Sequence, residues 1–388
     1  MLNHSNHRNS NKTLGVTELI AIALGGMVGG GIFTILGISV SMVGVYTPLV
    51  IVLGGVTTSL AAYTFASYAI SGFSFADNEL VRKLVAGAVI LIFTLINIWS
   101  VKGMGKIEDI MVYTKLVVLA IISFVLINNS QTTLPVLIQN NAETSALSVF
   151  IVASITFVAY EGFQLVINAV NEMENPDKNI PKAIYTALFL TVLIYFVISL
   201  GAILTIPFDS IIQNKEYALA AGAEKILGHW GTDLVILGAL LATSSAINGT
   251  LFGASRQMAV IATDGYFPAL IAKRSKHIPI FAILSMATFA FLLVLAGSLE
   301  VILEFGSITF LLVSLLMAFA NFKIRNLTGS STIITVLSIL GLLCGTILIF
   351  YYEFNNQPQQ LFFIGGLYAL LTVGSWLYSR KKSHQSTN

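Results

Sequence analysis

The run Gly25-Gly26-Met27-Val28-Gly29-Gly30-Gly31-Ile32-Phe33 puts five glycines into seven positions of one apolar segment. Small residues let membrane helices approach closely, but three consecutive glycines exceed what packing requires. Each glycine costs about 1 kcal/mol of helix propensity relative to alanine, so the run is a poor continuous helix. A break here exposes backbone N–H groups at the positive end of a half-helix, a placement suited to a carboxylate. Gly29, Gly30, Gly31 and Ile32 are therefore candidate binding residues, with tight packing alone as the alternative. A dinucleotide loop is excluded, because no β-strand precedes the run.

A second unusual segment reads Thr156-Phe157-Val158-Ala159-Tyr160-Glu161-Gly162-Phe163-Gln164. An ionisable residue in mid-span is expensive and is read first as functional. Glu161 beside Gly162 suits a second broken helix, with Phe157, Tyr160 and Phe163 as an aromatic lid. Three roles stay open for Glu161: direct substrate contact, a proton-linked role, or a structural carboxylate satisfied by neighbouring N–H groups or a hydroxyl. The two breaks lie about 130 residues apart. Paired discontinuous helices in two halves of a chain mark an inverted-repeat secondary transporter.

A third segment, Thr243-Ser244-Ser245-Ala246-Ile247-Asn248-Gly249-Thr250, carries more hydroxyl and amide groups than an apolar helix needs. Ser244, Ser245 and Asn248 are candidate site residues, against the alternative of back-bonding within the helix for the serines. Lys115 is read as snorkelling toward the inner face, with a polar network and a coupling role as the alternative.

These segments sit in a chain of 388 residues that is 56% hydrophobic and 10% charged. Soluble domains carry about 25% charged residues, and the mean hydropathy of +0.86 agrees with a membrane solvent. Apolar runs predict helices over 15–39, 48–74, 83–100, 108–128, 145–169, 183–205, 231–259, 278–297, 303–322, 331–352 and 361–379. Continuous rather than alternating runs favour helices over a barrel. The expected fold is an all-α polytopic membrane protein, one transmembrane domain over 1–388 with a polar tail over 1–14.

A net charge of +2 spread over short loops offers no face for nucleic acid. The single cysteine, Cys344, excludes a disulfide scaffold, and the five histidines, placed in termini or loops, form no metal-ligand motif. No metal site or cofactor is expected, and the chain is not expected to be an enzyme. Lysine and arginine collect in alternate loops from Lys102 to Lys382, which predicts a cytoplasmic C-terminus. Carried back to the N-terminus, the same alternation conflicts with Arg8 and Lys12, so residues 60–85 are expected to be unusual.

The glycine run resembles the first-helix signature of the amino acid–polyamine–organocation superfamily of permeases. Phe157 to Phe163 is similar to the family's sixth-helix break, Glu172 to Ala183 to the loop after it, and Ser255-Arg256 through Asp264-Gly265-Tyr266-Phe267-Pro268 to the loop after the eighth helix. Asn97, Lys102-Gly103 and Lys115-Leu116 look like its fourth and fifth helices.

The resemblance implies a five-plus-five inverted repeat with discontinuous helices 1 and 6, here over about 15–128 and 145–322 with two extra helices over 331–379. It implies secondary transport of an amino acid or related amine across the cell (inner) membrane, among lipid, by symport or exchange. Backbone groups at Gly29–Gly31 and near Ala159 would hold the zwitterion, and Tyr160, Glu161, Gly162, Phe163, Ser244, Ser245 and Asn248 would select or couple. The coupling ion, proton or sodium, stays open, as does an oligomer. The family usually has twelve helices, and eleven are counted here, with the third-helix region shortened. A deletion product that no longer transports, an oligomer that restores the missing wall, and a re-entrant segment at 60–85 are the three accounts of that loss, and the alternative function is a degenerate permease that binds an amino acid without flux.

Overall fold

In the computed structural model of the chain, residues 16–27, 58–140, 144–160, 162–163, 166, 175–213, 218–263, 268–275, 278–296, 298–366 and 369 are described. Among them every extended element is helical, and an isolated bridge between Ser275 and Ile278 is the β-pairing present. The helices are α1 (Val16–Met27), α2 (Thr58–Ile70), α3 (Glu79–Trp99), α4 (Val101–Asn128), α5 (Leu134–Asn140), α6 (Ala146–Ile155), α7 (Pro176–Thr205), α8 (Phe208–Gln213), α9 (Ala218–Thr263), α10 (Ala269–Ala272), α11 (Ile280–Ala296), α12 (Leu299–Thr328) and α13 (Thr332–Asn356). Six described helices are long and apolar enough to cross a membrane, by length and composition. Their outer faces carry large apolar side chains, such as Leu91 and Leu95 on α3 and Ile333 and Leu337 on α13. Such faces are stable where the surrounding solvent is hydrocarbon.

Local chemistry sets several boundaries. Asn78 caps α3, its Oδ1 accepting from the N–H groups of Leu80 and Val81. Pro176 opens α7 in the first turn, where a missing N–H costs little. Pro181 lies inside α7 rather than at a loop, so that helix starts seven residues earlier than hydropathy alone places it. The predicted loops at 129–144 and 206–230 contain the short helices α5 and α8 and the start of α9. His229 accordingly sits in a helix, 3.6 Å from Glu224, not in a loop. Gly228, at φ 67°, supplies the kink that joins two helical pieces within α9.

Residues 60–85 form the end of α2, a turn and the start of α3. The turn is tied by a polar knot. The Tyr63 hydroxyl donates to the Glu79 carboxylate (2.8 Å), the Arg82 guanidinium bonds Glu79 Oε2 (2.9 Å), and its other nitrogen donates to Ala76 O (2.8 Å). The predicted helix 48–74 therefore stops at Ile70, and its first ten residues lie outside the described residues.

Tertiary bonds pair helix ends. Lys83 Nζ donates to Leu295 O (3.1 Å), setting the start of α3 beside the end of α11. Thr205 Oγ1 donates to Leu126 O (2.6 Å), pairing the ends of α7 and α4. The core lies where α1, α4, α7 and α9 meet, with Leu19, Met27, Leu119, Tyr195 and Ile247 buried in one cluster.

Candidate functional site

In the last described turn of α1, three carbonyls receive side chains from other helices. Lys115 Nζ on α4 donates to Leu24 O (3.2 Å) and Gly25 O (3.1 Å), and the Tyr195 hydroxyl on α7 donates to Met27 O (2.5 Å).

The same ammonium donates to Ser245 Oγ on α9 (3.0 Å), which donates in turn to Glu108 Oε1 on α4 (2.6 Å). Asn248 Nδ2 donates to Glu108 Oε2 (2.8 Å), and Asn97 Nδ2 on α3 donates to Asn248 Oδ1 (2.9 Å). Lys115, Glu108, Ser245, Asn248 and Asn97 are all buried. The two charges compensate each other through shared hydrogen bonds, which is what permits their removal from solvent. The snorkelling expectation for Lys115 is thus corrected: it has no exposed surface, because its ammonium finds three oxygens inside the bundle.

Gly25 stands directly over this network. A Cβ at that position would collide with Glu108 Oε1 and approach Ser245 Oγ to 3.3 Å. A larger residue here would have to displace the end of the Glu108 side chain.

The second site region is broken where the sequence predicts it. The α-helix over Ala146–Ile155 ends at Thr156, residues Phe157–Tyr160 make a 3₁₀ turn, and Gly162 follows at φ 126°, a conformation open to glycine. The predicted helix 145–169 is thereby interrupted after Ile155, and of its remainder residues 161, 164–165 and 167–169 lie outside the described residues. The carbonyls this frees find partners: Ser307 Oγ on α12 donates to Ile155 O, and the Tyr195 hydroxyl lies 3.1 Å from Ala159 O. The aromatic residues pack on α7 and α12, with Tyr160 and Tyr195 ring centroids 5.5 Å apart and Phe157 and Phe163 at 5.2 and 6.4 Å from Phe310. Phe310 also borders a largely apolar cavity of about 350 Å³ among α2, α9, α11 and α12, where Ser59, Thr250 and Thr309 supply the hydroxyls.

Of the sequence candidates, Phe157, Ala159, Tyr160, Gly162 and Phe163 lie at the second break, and Lys115, Ser245 and Asn248 lie in the polar network. Ser244 is buried beside Ser245 on α9. Gly29, Gly30, Gly31, Ile32 and Glu161 lie outside the described residues. Back-bonding, the alternative weighed for the serines, is instead the habit of Thr243, which donates to Ala239 O (2.6 Å).

Sequence reasoning missed Glu108 and Tyr195. Glu108 precedes Lys115 by seven residues, two helical turns, and that spacing puts both on one face of α4. Tyr195 had a weaker signal, an aromatic hydroxyl inside an apolar run with Thr191 one turn earlier. Among the described residues, no group of three or more His, Cys, Asp or Glu side chains could hold a metal ion.

Helices with apolar outer faces, a broken helix in the interior and a buried charged network define an all-α polytopic membrane protein of the transporter class. The chain belongs to the amino acid permease family, whose model matches residues 39–371. It is 25% identical over 425 residues to the inner membrane transport protein YbaT of Escherichia coli, covering 97% of this chain and 98% of that one. It is 26% identical to the uncharacterized protein MJ0609 of Methanocaldococcus jannaschii, covering 88% and 90%. A shorter match, 28% identical, covers 50% of this chain and 41% of the branched-chain amino acid permease BcaP of Bacillus subtilis. The alignment to YbaT is longer than the 388 residues of this chain, so its gaps in this chain total at least a helix's length.

Proposed function

We propose that the protein carries an amino acid or related amine across the cell membrane by secondary transport, with the substrate held between the glycine run and the second break. The observation that carries this reading is the Tyr195 hydroxyl, which joins the last described turn of α1 to the 3₁₀ turn after α6. Backbone N–H groups at Gly29–Gly31 receive the α-carboxylate, and carbonyls near Ala159 receive the α-amino group. Phe157, Tyr160 and Phe163 cover the site, and Ser244 on α9 is a further candidate contact. Family membership supports an amino acid as the substrate class.

Lys115 supports proton coupling over sodium coupling. Its ammonium already fills a cage made by Leu24 O, Gly25 O and Ser245 Oγ, the kind of oxygen set a sodium ion would need. Glu161 is the second candidate for carrying a proton. The C-terminus is assigned to the cytoplasm from the loop charges.

Binding without flux is the second reading, favoured by the count of eleven rather than twelve helices in the sequence. Counterflow in proteoliposomes preloaded with mixed amino acids separates the two, with a labelled panel outside and Gly30→Leu protein as control. Accumulation that disappears in the control supports transport and identifies the substrate group. Saturable ligand binding by monodisperse, correctly inserted protein without accumulation supports the second reading.

A further inference from the structure

Two carboxyl groups far along the chain from the polar network are buried with no neutralising charge among the described residues. Glu304 lies in the second turn of α12 and is 4% exposed, and Glu353 lies in the last turn of α13 and has no exposed surface. Their side chains meet across the packed interface of these two helices. Among the described residues, Glu304 Oε2 and both oxygens of Glu353 have no hydrogen-bond partner, and no ion pair reaches either residue.

The surroundings deepen the problem. Glu300 on α12 adds a third acidic group, and Tyr352 on α13 adds a neutral phenol. Helix α6, which packs on both α12 and α13, contains no titratable side chain. The tyrosines of the other elements packed on α12 are engaged elsewhere: Tyr63 with Glu79, Tyr68 with the Leu219 backbone, and Tyr160 against Tyr195.

Two ionised carboxylates cannot share a dehydrated contact without a counter-charge. A hard metal cation is a poor answer, because it needs six or more oxygens and no metal-sized cluster forms among the described residues. One proton solves the problem. A carboxylic O–H donates to the facing carboxylate, turning the repulsive contact into a short charge-assisted hydrogen bond. Glu304 lies about 8 Å from the start of α12 at 1.5 Å per residue, near enough to a helix end for exchange with water.

We propose that Glu304 and Glu353 form a proton-binding carboxyl pair at the α12–α13 interface, separate from the network around Lys115. The proton comes from the aqueous phase, and only an O–H bond forms or breaks. While it is held, the pair ties α13 to α12; its loss leaves two like charges pressing the helices apart.

The test is infrared spectroscopy on the full chain in nanodiscs, comparing wild type, Glu304→Gln, Glu353→Gln and the double variant. Glutamine keeps the shape and supplies an amide donor, and size-exclusion profiles verify folding. At neutral pH the wild type should show a protonated-carboxyl C=O band that moves in D2O. The double variant should lack it, and Glu108→Gln should keep it. Wild-type Tm should also fall as the medium goes from mildly acid to alkaline, and the double variant's should fall less. Identical C=O regions in wild type and double variant overturn the proposal. So does a carboxylate band that shifts on adding sodium or calcium, which would assign the pair to a metal ion. If one single variant does not fold, the other carries the comparison. No substrate enters the experiment, so its outcome is independent of the transport reading.

Discussion

The hydroxyl of Tyr195 lies 2.5 Å from the carbonyl oxygen of Met27 and 3.1 Å from that of Ala159, residues 132 apart in the chain. One hydroxyl proton is offered to two carbonyls, one in each of the two glycine-containing segments. A single side chain on α7 thus sets how far apart these segments stand, and any molecule held between them meets a spacing defined by that hydroxyl.

Tyr195→Phe keeps the ring against Tyr160 and removes only the oxygen. Two buried carbonyls lose their donor, a loss worth about 1–3 kcal/mol. We expect a lower Tm and substrate binding weakened by more than the loss of stability alone explains. Calorimetric binding on folded protein measures it, and unchanged affinity would remove Tyr195 from the positioning role.

Lys115→Met takes the ammonium from Leu24 O, Gly25 O and Ser245 Oγ and leaves Glu108 to Ser245 and Asn248 alone. Hydrogen bonds made by a charged donor are worth about 1.5–3 kcal/mol each, so thermal stability should drop clearly. An inward proton gradient imposed on proteoliposomes should accelerate uptake by wild type and leave residual uptake by the variant unaffected. Equal stimulation of both proteins would remove Lys115 from coupling.

Gly25→Ala tests the close approach of α1 to α4. The new methyl collides with Glu108 Oε1, which Ser245 holds, on a carboxylate whose Oε2 is held by Asn248. Overpacking of this kind costs about 1–3 kcal/mol. Pairing the change with Glu108→Ala should restore part of the lost Tm, and a strictly additive double variant would argue against that contact.

Gly30→Leu fills the proposed carboxylate site with a side chain and should abolish substrate binding in folded protein. Glu161→Gln should alter the pH dependence of uptake, and a superimposable profile would remove its proton role.

The residue order alone determined the solvent and the class of structure. Long apolar runs with few charges can only be spanning helices, and Gly162 in the second segment marks a break because few other residues adopt its backbone conformation. What the order could not convey is which polar groups meet. Glu108 and Lys115 share a face of α4, but their partners Ser245 and Asn248 lie about 130 residues away, and only the packing of α9 against α4 brings them together. Lys115 misled for the same reason: a lone lysine in a span has water as its default partner, and the fold supplied carbonyls instead. Tyr195 and the pair Glu304–Glu353 are likewise unremarkable in one dimension. Their chemistry comes from burial and from the neighbour across the helix interface, and both are properties of the tertiary structure.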